Sequence, residues 1–140
     1  MTTVQAEIAS TRSTAARVAE ITALVCGVGW VGKILLIAAS GGKNSDAGLV
    51  AVGWAVGFAG LLATGAALGY LAGRQLGKAA AVLAAVAGVP IAFTVMNVAD
   101  GIAKAAVSGS GWFRDELSLL VLGSVCLLGG LLALRGRRAG

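Results

Sequence analysis

The sequence predicts an all-α membrane protein: four transmembrane helices in an up-down bundle, with both termini on the cytoplasmic side. Three observations carry this expectation. Of 140 residues, 58% are hydrophobic by type and 12% are charged, with a mean hydropathy of +0.91, whereas an ordinary soluble domain carries about a quarter of its residues as charges. The apolar residues fall into long runs, each able to cross ~30 Å of hydrocarbon at ~1.5 Å per helical residue. The basic residues gather at alternate ends of those runs. Arg12, Arg17, Arg74, Lys78, Arg135, Arg137 and Arg138 fall on one side, and Lys43, Lys104 and Arg114 on the other, which the positive-inside rule reads as cytoplasmic termini.

In chain order, residues 1–17 are polar and small. If this stretch is helical, Val4, Ile8, Ala15 and Val18 give it a weak apolar stripe, so it reads as a tail lying on the membrane ahead of an uncleaved signal-anchor. The first span covers about 19–39 and ends at the break Ser40-Gly41-Gly42-Lys43-Asn44-Ser45-Asp46. A Gly- and Ala-rich second span, about 48–73, stops at Arg74, and the tight connection through Lys78 makes the next span its antiparallel neighbour. The third span, about 79–98, contains Pro90, which should kink the helix and free a carbonyl near Val86. Residues 100–116 read as an outer interfacial loop, with Trp112 and Phe113 at headgroup level, before a fourth span over about 117–134. The whole chain, 1–140, is one transmembrane domain.

Composition removes several function classes. The chain has no histidine, so histidine-ligated haem, histidine proton relays and the common zinc sites are unavailable to it, and no metal or cofactor is expected. The net charge of +5 sits at the ends of apolar runs, where it sets topology and touches anionic headgroups, so nucleic acid is not an expected partner. Cys26 and Cys126 lie inside apolar runs and read as small packing hydrophobes, without metal-site spacing. Gly27, Gly29 and Gly32 match part of a dinucleotide-loop spacing, but no strand precedes them. Val28-Gly29-Trp30-Val31-Gly32 weakly echoes Val52-Gly53-Trp54-Ala55-Val56-Gly57, but the two halves of the chain do not resemble each other, so an inverted repeat is not supported.

Two groups of residues are candidates for function. In the second span, Gly53, Gly57 and Gly60, with Thr64 and Ala67, recur at helical spacing, and Gly65, Gly69 and Gly73 recur every four residues, so another helix can approach closely. Ala81, Ala84 or Ala85 and Gly88 offer a matching surface. The plainer reading is packing within the bundle; the functional one is a subunit contact or a narrow pore. The second group centres on Lys33, the clearest ionisable residue inside a span, where a charge costs on the order of 2.5–3.5 kcal/mol. Snorkelling to the outer interface is the first explanation. A buried partner or a transported anion is the second, the partner to be sought among Asp46, Asp100, Asp115 and Glu116, with Asp100 preferred because Thr94, Asn97 and Asp100 share a face of the third helix. Lys33, Thr94, Asn97 and Asp100 therefore form the candidate polar cluster. Glu20, at the inner start of the first span, suits the helix dipole and can pair with Arg17 or Arg74.

The first function expected is that of a non-catalytic accessory or assembly subunit, its glycine face packing on a second copy or on a larger membrane complex within the lipid. An oligomeric channel or transporter for a small ion or solute is the alternative. A membrane-embedded enzyme, with the outer carboxylates as general acid and base, comes third. The Ala and Gly excess with arginine-rich ends points to the cytoplasmic membrane of a bacterium.

Overall fold

The computed structural model describes residues 3–42, 47–109 and 111–138, with side chains throughout except at 3–13, 47, 137 and 138. Lys43 and Asp46 lie outside the described residues, as do the side chains of Arg12, Arg137 and Arg138. Among the described residues the chain is four long helices: α1 (Thr3–Ala39), α2 (Ala47–Gly73), α3 (Lys78–Ala106) and α4 (Trp112–Arg138), with one 3-10 turn, Arg74–Leu76, between α2 and α3. Each contains a segment long and apolar enough to cross a membrane, at Thr14–Ala39, Gly48–Leu76 (which takes in the 3-10 turn), Lys78–Ala106 and Trp112–Gly136. The protein is a multi-pass helical membrane protein.

Two boundaries differ from expectation. The polar N-terminal stretch is continuous with the first span as one helix from Thr3. The outer loop expected over 100–116 shrinks to 107–111, because α3 runs on to Ala106 and α4 begins at Trp112. The polar residues read as loop are helical because their side chains are paired. Lys104 bridges back to Asp100 one turn earlier, and Arg114 holds the short connection by donating to the Gly109 and Lys104 carbonyls at 3.0 and 2.9 Å. α3 also continues as a helix through Pro90.

Neighbouring helices pack in chain order: α1 on α2, α2 on α3, and α4 back on α1, leaving the α3–α4 contact the thinnest of the four. α1 and α3 are therefore diagonal. The core is small, with Cys26, Trp30, Leu61 and Ala92 at its centre and Phe58, Met96, Leu119 and Leu122 packed around them. Large apolar side chains such as Val28, Leu83, Phe93 and Leu132 point outward. Hydrocarbon offers no hydrophobic drive between helices, so close backbone packing by small residues has to supply the association.

Glycine does this along both edges of α2. Gly53, Gly57 and Gly60 face α1: a Cβ at Gly60 would lie 2.6 Å from the Cys26 nitrogen, and one at Gly29 would lie 2.6 Å from the Gly57 nitrogen. Gly57 lies against the indole of Trp30, and Gly123 of α4 lies against the Trp30 Cβ. Gly65, Gly69 and Gly73 face α3, where a Cβ would lie 2.5 Å from the Gly88 carbonyl oxygen at Gly65 and 2.5 Å from that of Ala80 at Gly73, and would collide with the Ala84 carbonyl at Gly69. All six glycines are thus occupied by helices of the same chain. At the turn after α2, Gly77 has φ +118°, which L side chains rarely adopt, and this lets α3 start at once in the opposite direction.

Candidate functional site

The end of the bundle formed by the end of α1 and the start of α4 carries most of the ionisable side chains that face inward. Lys33 lies six residues before the end of α1, roughly 9 Å along the helix. Its stem crosses the bare backbone of Gly53, whose added Cβ would lie 3.0 Å from the Lys33 Cβ. The ammonium donates to both carboxylate oxygens of Glu116 on α4 at 2.7 Å each. Lys33 is 7% exposed and Glu116 17%. The partner of Lys33 is Glu116 rather than Asp100.

Asp100 has a different role. Its Oδ2 accepts from Lys104 Nζ at 2.6 Å on the same helix, and its Oδ1 accepts from Ser118 Oγ at 3.1 Å across the seam to α4. Ser118 is 3% exposed. Two residues apart on α4, Glu116 and Ser118 thus fasten that helix to α1 on one side and to α3 on the other. The expected cluster of Lys33, Thr94, Asn97 and Asp100 is not assembled. Thr94 donates to the Pro90 carbonyl and Asn97 to the Phe93 carbonyl, both at 2.8 Å within their own helix and both on its exposed surface. Of the four, Asn97 and Asp100 stay together.

Asn97 and Asp100 line a cavity of about 170 Å³ in the α3–α4 seam with Asp115, Ser118 and Trp54, above Met96 and Leu119. Trp54 stacks on Phe58 at 5.1 Å between ring centroids, and Phe58 meets Phe93 edge to face at 6.2 Å. The cavity therefore joins two carboxylates and two neutral polar side chains to a single indole. That combination suits a small cation, which gains from the carboxylates. Trp112 covers Gly42 just past the end of α1, and Phe113 meets Trp112 edge to face at 6.0 Å, so an exposed aromatic pair lies at this end of the bundle.

From sequence, Glu116 is one of several possible partners of Lys33 and Asp100 the preferred one. Depth could not separate them, since Asp100 is six residues from the end of α3 and Glu116 four from the start of α4. Ser118 and Trp54 had no sequence signal beyond being polar or aromatic residues in a span. At the opposite end, Glu20 is buried in the wall of another cavity. Among the described residues, no three His, Cys, Asp or Glu side chains come together in a way that could hold a metal ion.

Comparison with protein-family models, with curated proteins and with solved structures finds no match for this chain. Its class is defined by its own helices: a four-span membrane protein with an ion-paired cluster inside one end of the bundle.

Proposed function

We propose that the chain is a small transport protein that passes or carries a small cationic solute, in the cytoplasmic membrane of a bacterium with both termini inside. The observation behind this reading is the polar cavity where α3 and α4 are least packed. Asp100 and Asp115 flank it, Trp54 backs it, and Lys33–Glu116 anchors the adjacent helix contact. Ionisable groups inside a span are costly, and in membrane proteins they mark solute pathways by default. The Lys104 ammonium holds one oxygen of Asp100, so an arriving cation competes for that carboxylate while Asp115 supplies the second charge.

The test is flux of tetramethylammonium or a monovalent metal cation into proteoliposomes. Uptake above empty vesicles is expected, with a fall toward the vesicle background for Asp115→Asn and Asp100→Asn while the particle mass in detergent stays the same. Wild-type uptake equal to that of empty vesicles for all such cations would overturn the reading.

The accessory-subunit reading rests on a different observation. The main charges are already satisfied within the chain, with Glu116 held by Lys33 and Asp100 by Lys104 and Ser118, an arrangement that serves a static scaffold equally well. With the α2 glycines occupied internally, such a subunit would meet its partner through lipid-facing surface. Mass determination of the intact particle in gentle detergent separates a lone chain, a homo-oligomer and a complex with a larger partner.

A further inference from the structure

Neither the polar cluster nor the glycine packing accounts for the two cysteines. Cys26 on α1 is fully buried in the core, and Cys126 on α4 packs against the same core cluster. Across the α1–α4 contact the two thiols lie near enough to influence each other. The helices come close here because Gly27 offers no side chain: a Cβ on it would lie 2.6 Å from the Leu127 Cβ and 2.8 Å from the Gly123 carbonyl oxygen. Both thiols are free, and two thiols brought together on adjacent helices are the starting arrangement for a disulfide.

Cys126 is also in the wall of an open groove of about 410 Å³ between α1, α2 and α4. The groove is lined almost wholly by apolar and small residues, among them Ala23, Leu68 and Gly129; Glu20 is its one carboxylate and Thr64 its one hydroxyl. We propose that Cys26 and Cys126 are a redox-active dithiol, oxidised to a disulfide between α1 and α4 by a membrane-soluble quinone that enters along this groove. Two S–H bonds break and one S–S bond forms, and the two electrons and two protons released reduce the quinone to its hydroquinone.

The location selects this class of oxidant. The dithiol lies within the spanning segments, out of reach of charged, water-soluble disulfides such as oxidised glutathione. A quinone is apolar enough to occupy the groove. Because it takes up both protons with both electrons, no net charge is left in the hydrocarbon, where an unpaired ion is costly. This inference does not depend on the transport reading.

The test uses the full chain, reduced, in lipid nanodiscs and mixed with decylubiquinone; free thiols are then counted after denaturation with a maleimide-polyethylene glycol tag. Loss of both tags is expected, with hydroquinone appearing at one per chain and its formation abolished in Cys26→Ser and Cys126→Ser. A Cβ at Gly129 meets nothing within 4 Å, so Gly129→Leu obstructs the groove without disturbing the helix contacts. That variant should react with decylubiquinone on the order of tenfold more slowly while the small oxidant diamide closes its disulfide at the wild-type rate. The proposal is overturned if wild-type protein keeps both tags after decylubiquinone. It is equally overturned if hydroquinone forms as fast in the double serine variant, or if Gly129→Leu reacts with the quinone as fast as wild type.

Discussion

Gly88→Leu is expected to prevent α3 from docking on α2. Gly88 and Gly65 face each other backbone to backbone, and a Cβ on either would meet the other's carbonyl oxygen, at 2.5 Å for Gly65 and in outright collision for Gly88. A peptide group cannot move aside as a flexible side chain can. The cost should therefore reach or exceed the upper end of the roughly 1–3 kcal/mol that overpacking usually carries. The measurement is thermal unfolding in detergent, followed by tryptophan fluorescence or circular dichroism. Gly32→Leu and Gly129→Leu, where a Cβ meets nothing within 4 Å, provide the controls and should stay within about 0.5 kcal/mol of wild type. If Gly88→Leu unfolds like the controls, the close α2–α3 contact is not what holds the bundle together.

The same geometry predicts how variants of the α1-facing edge behave. Gly57→Leu drives its side chain into the indole of Trp30, which is wholly buried. Loss of the folded monomer is the expected outcome, not the separation of intact subunits. A glycine variant that stays folded but changes oligomeric mass would mean that this edge also meets a second chain.

The spans were legible in the sequence because hydropathy and length decide them, and the bilayer leaves little choice of backbone structure. The two glycine edges of α2 were legible as small-residue stripes. What periodicity could not say was which neighbour fills each stripe, since the same pattern serves contacts within a chain and between chains. The α3–α4 connection was misjudged because Asp100, Lys104, Arg114 and Glu116 look like loop residues when taken singly, and become good helix residues once each finds a partner. The partner of Lys33 follows from topology more than from depth. In a four-helix ring packed in chain order, α1 and α3 are diagonal, so a lysine on α1 is directed to α2 or α4, and the inward carboxylate at its level on those helices is Glu116. The pairing of Cys26 with Cys126 has the same origin: both sit near the middle of helices that the ring makes neighbours.

Glu116→Gln is expected to destabilise the protein by about 3–5 kcal/mol, the range for removing one partner of a buried ion pair. Lys33 is only 7% exposed and has Gly53 against its stem, so its ammonium would be left in the bundle facing a neutral amide. Lys33→Met should cost less, because Glu116 at 17% exposure retains some access to the interface. The double variant Lys33→Met/Glu116→Leu removes both charges together and should recover most or all of wild-type stability, since replacing a buried pair by apolar groups of similar volume is often neutral or stabilising. Unfolding of the four proteins in one double-mutant cycle measures this directly, and losses that simply add would show that the pair is not coupled. Cation uptake by the double variant then separates the two functional readings. A stable bundle without uptake makes the charges part of the pathway; where wild type does transport, a stable bundle with wild-type uptake leaves Lys33–Glu116 the structural task of fastening α4 to α1, with the chemistry confined to Asp100 and Asp115 in the α3–α4 seam.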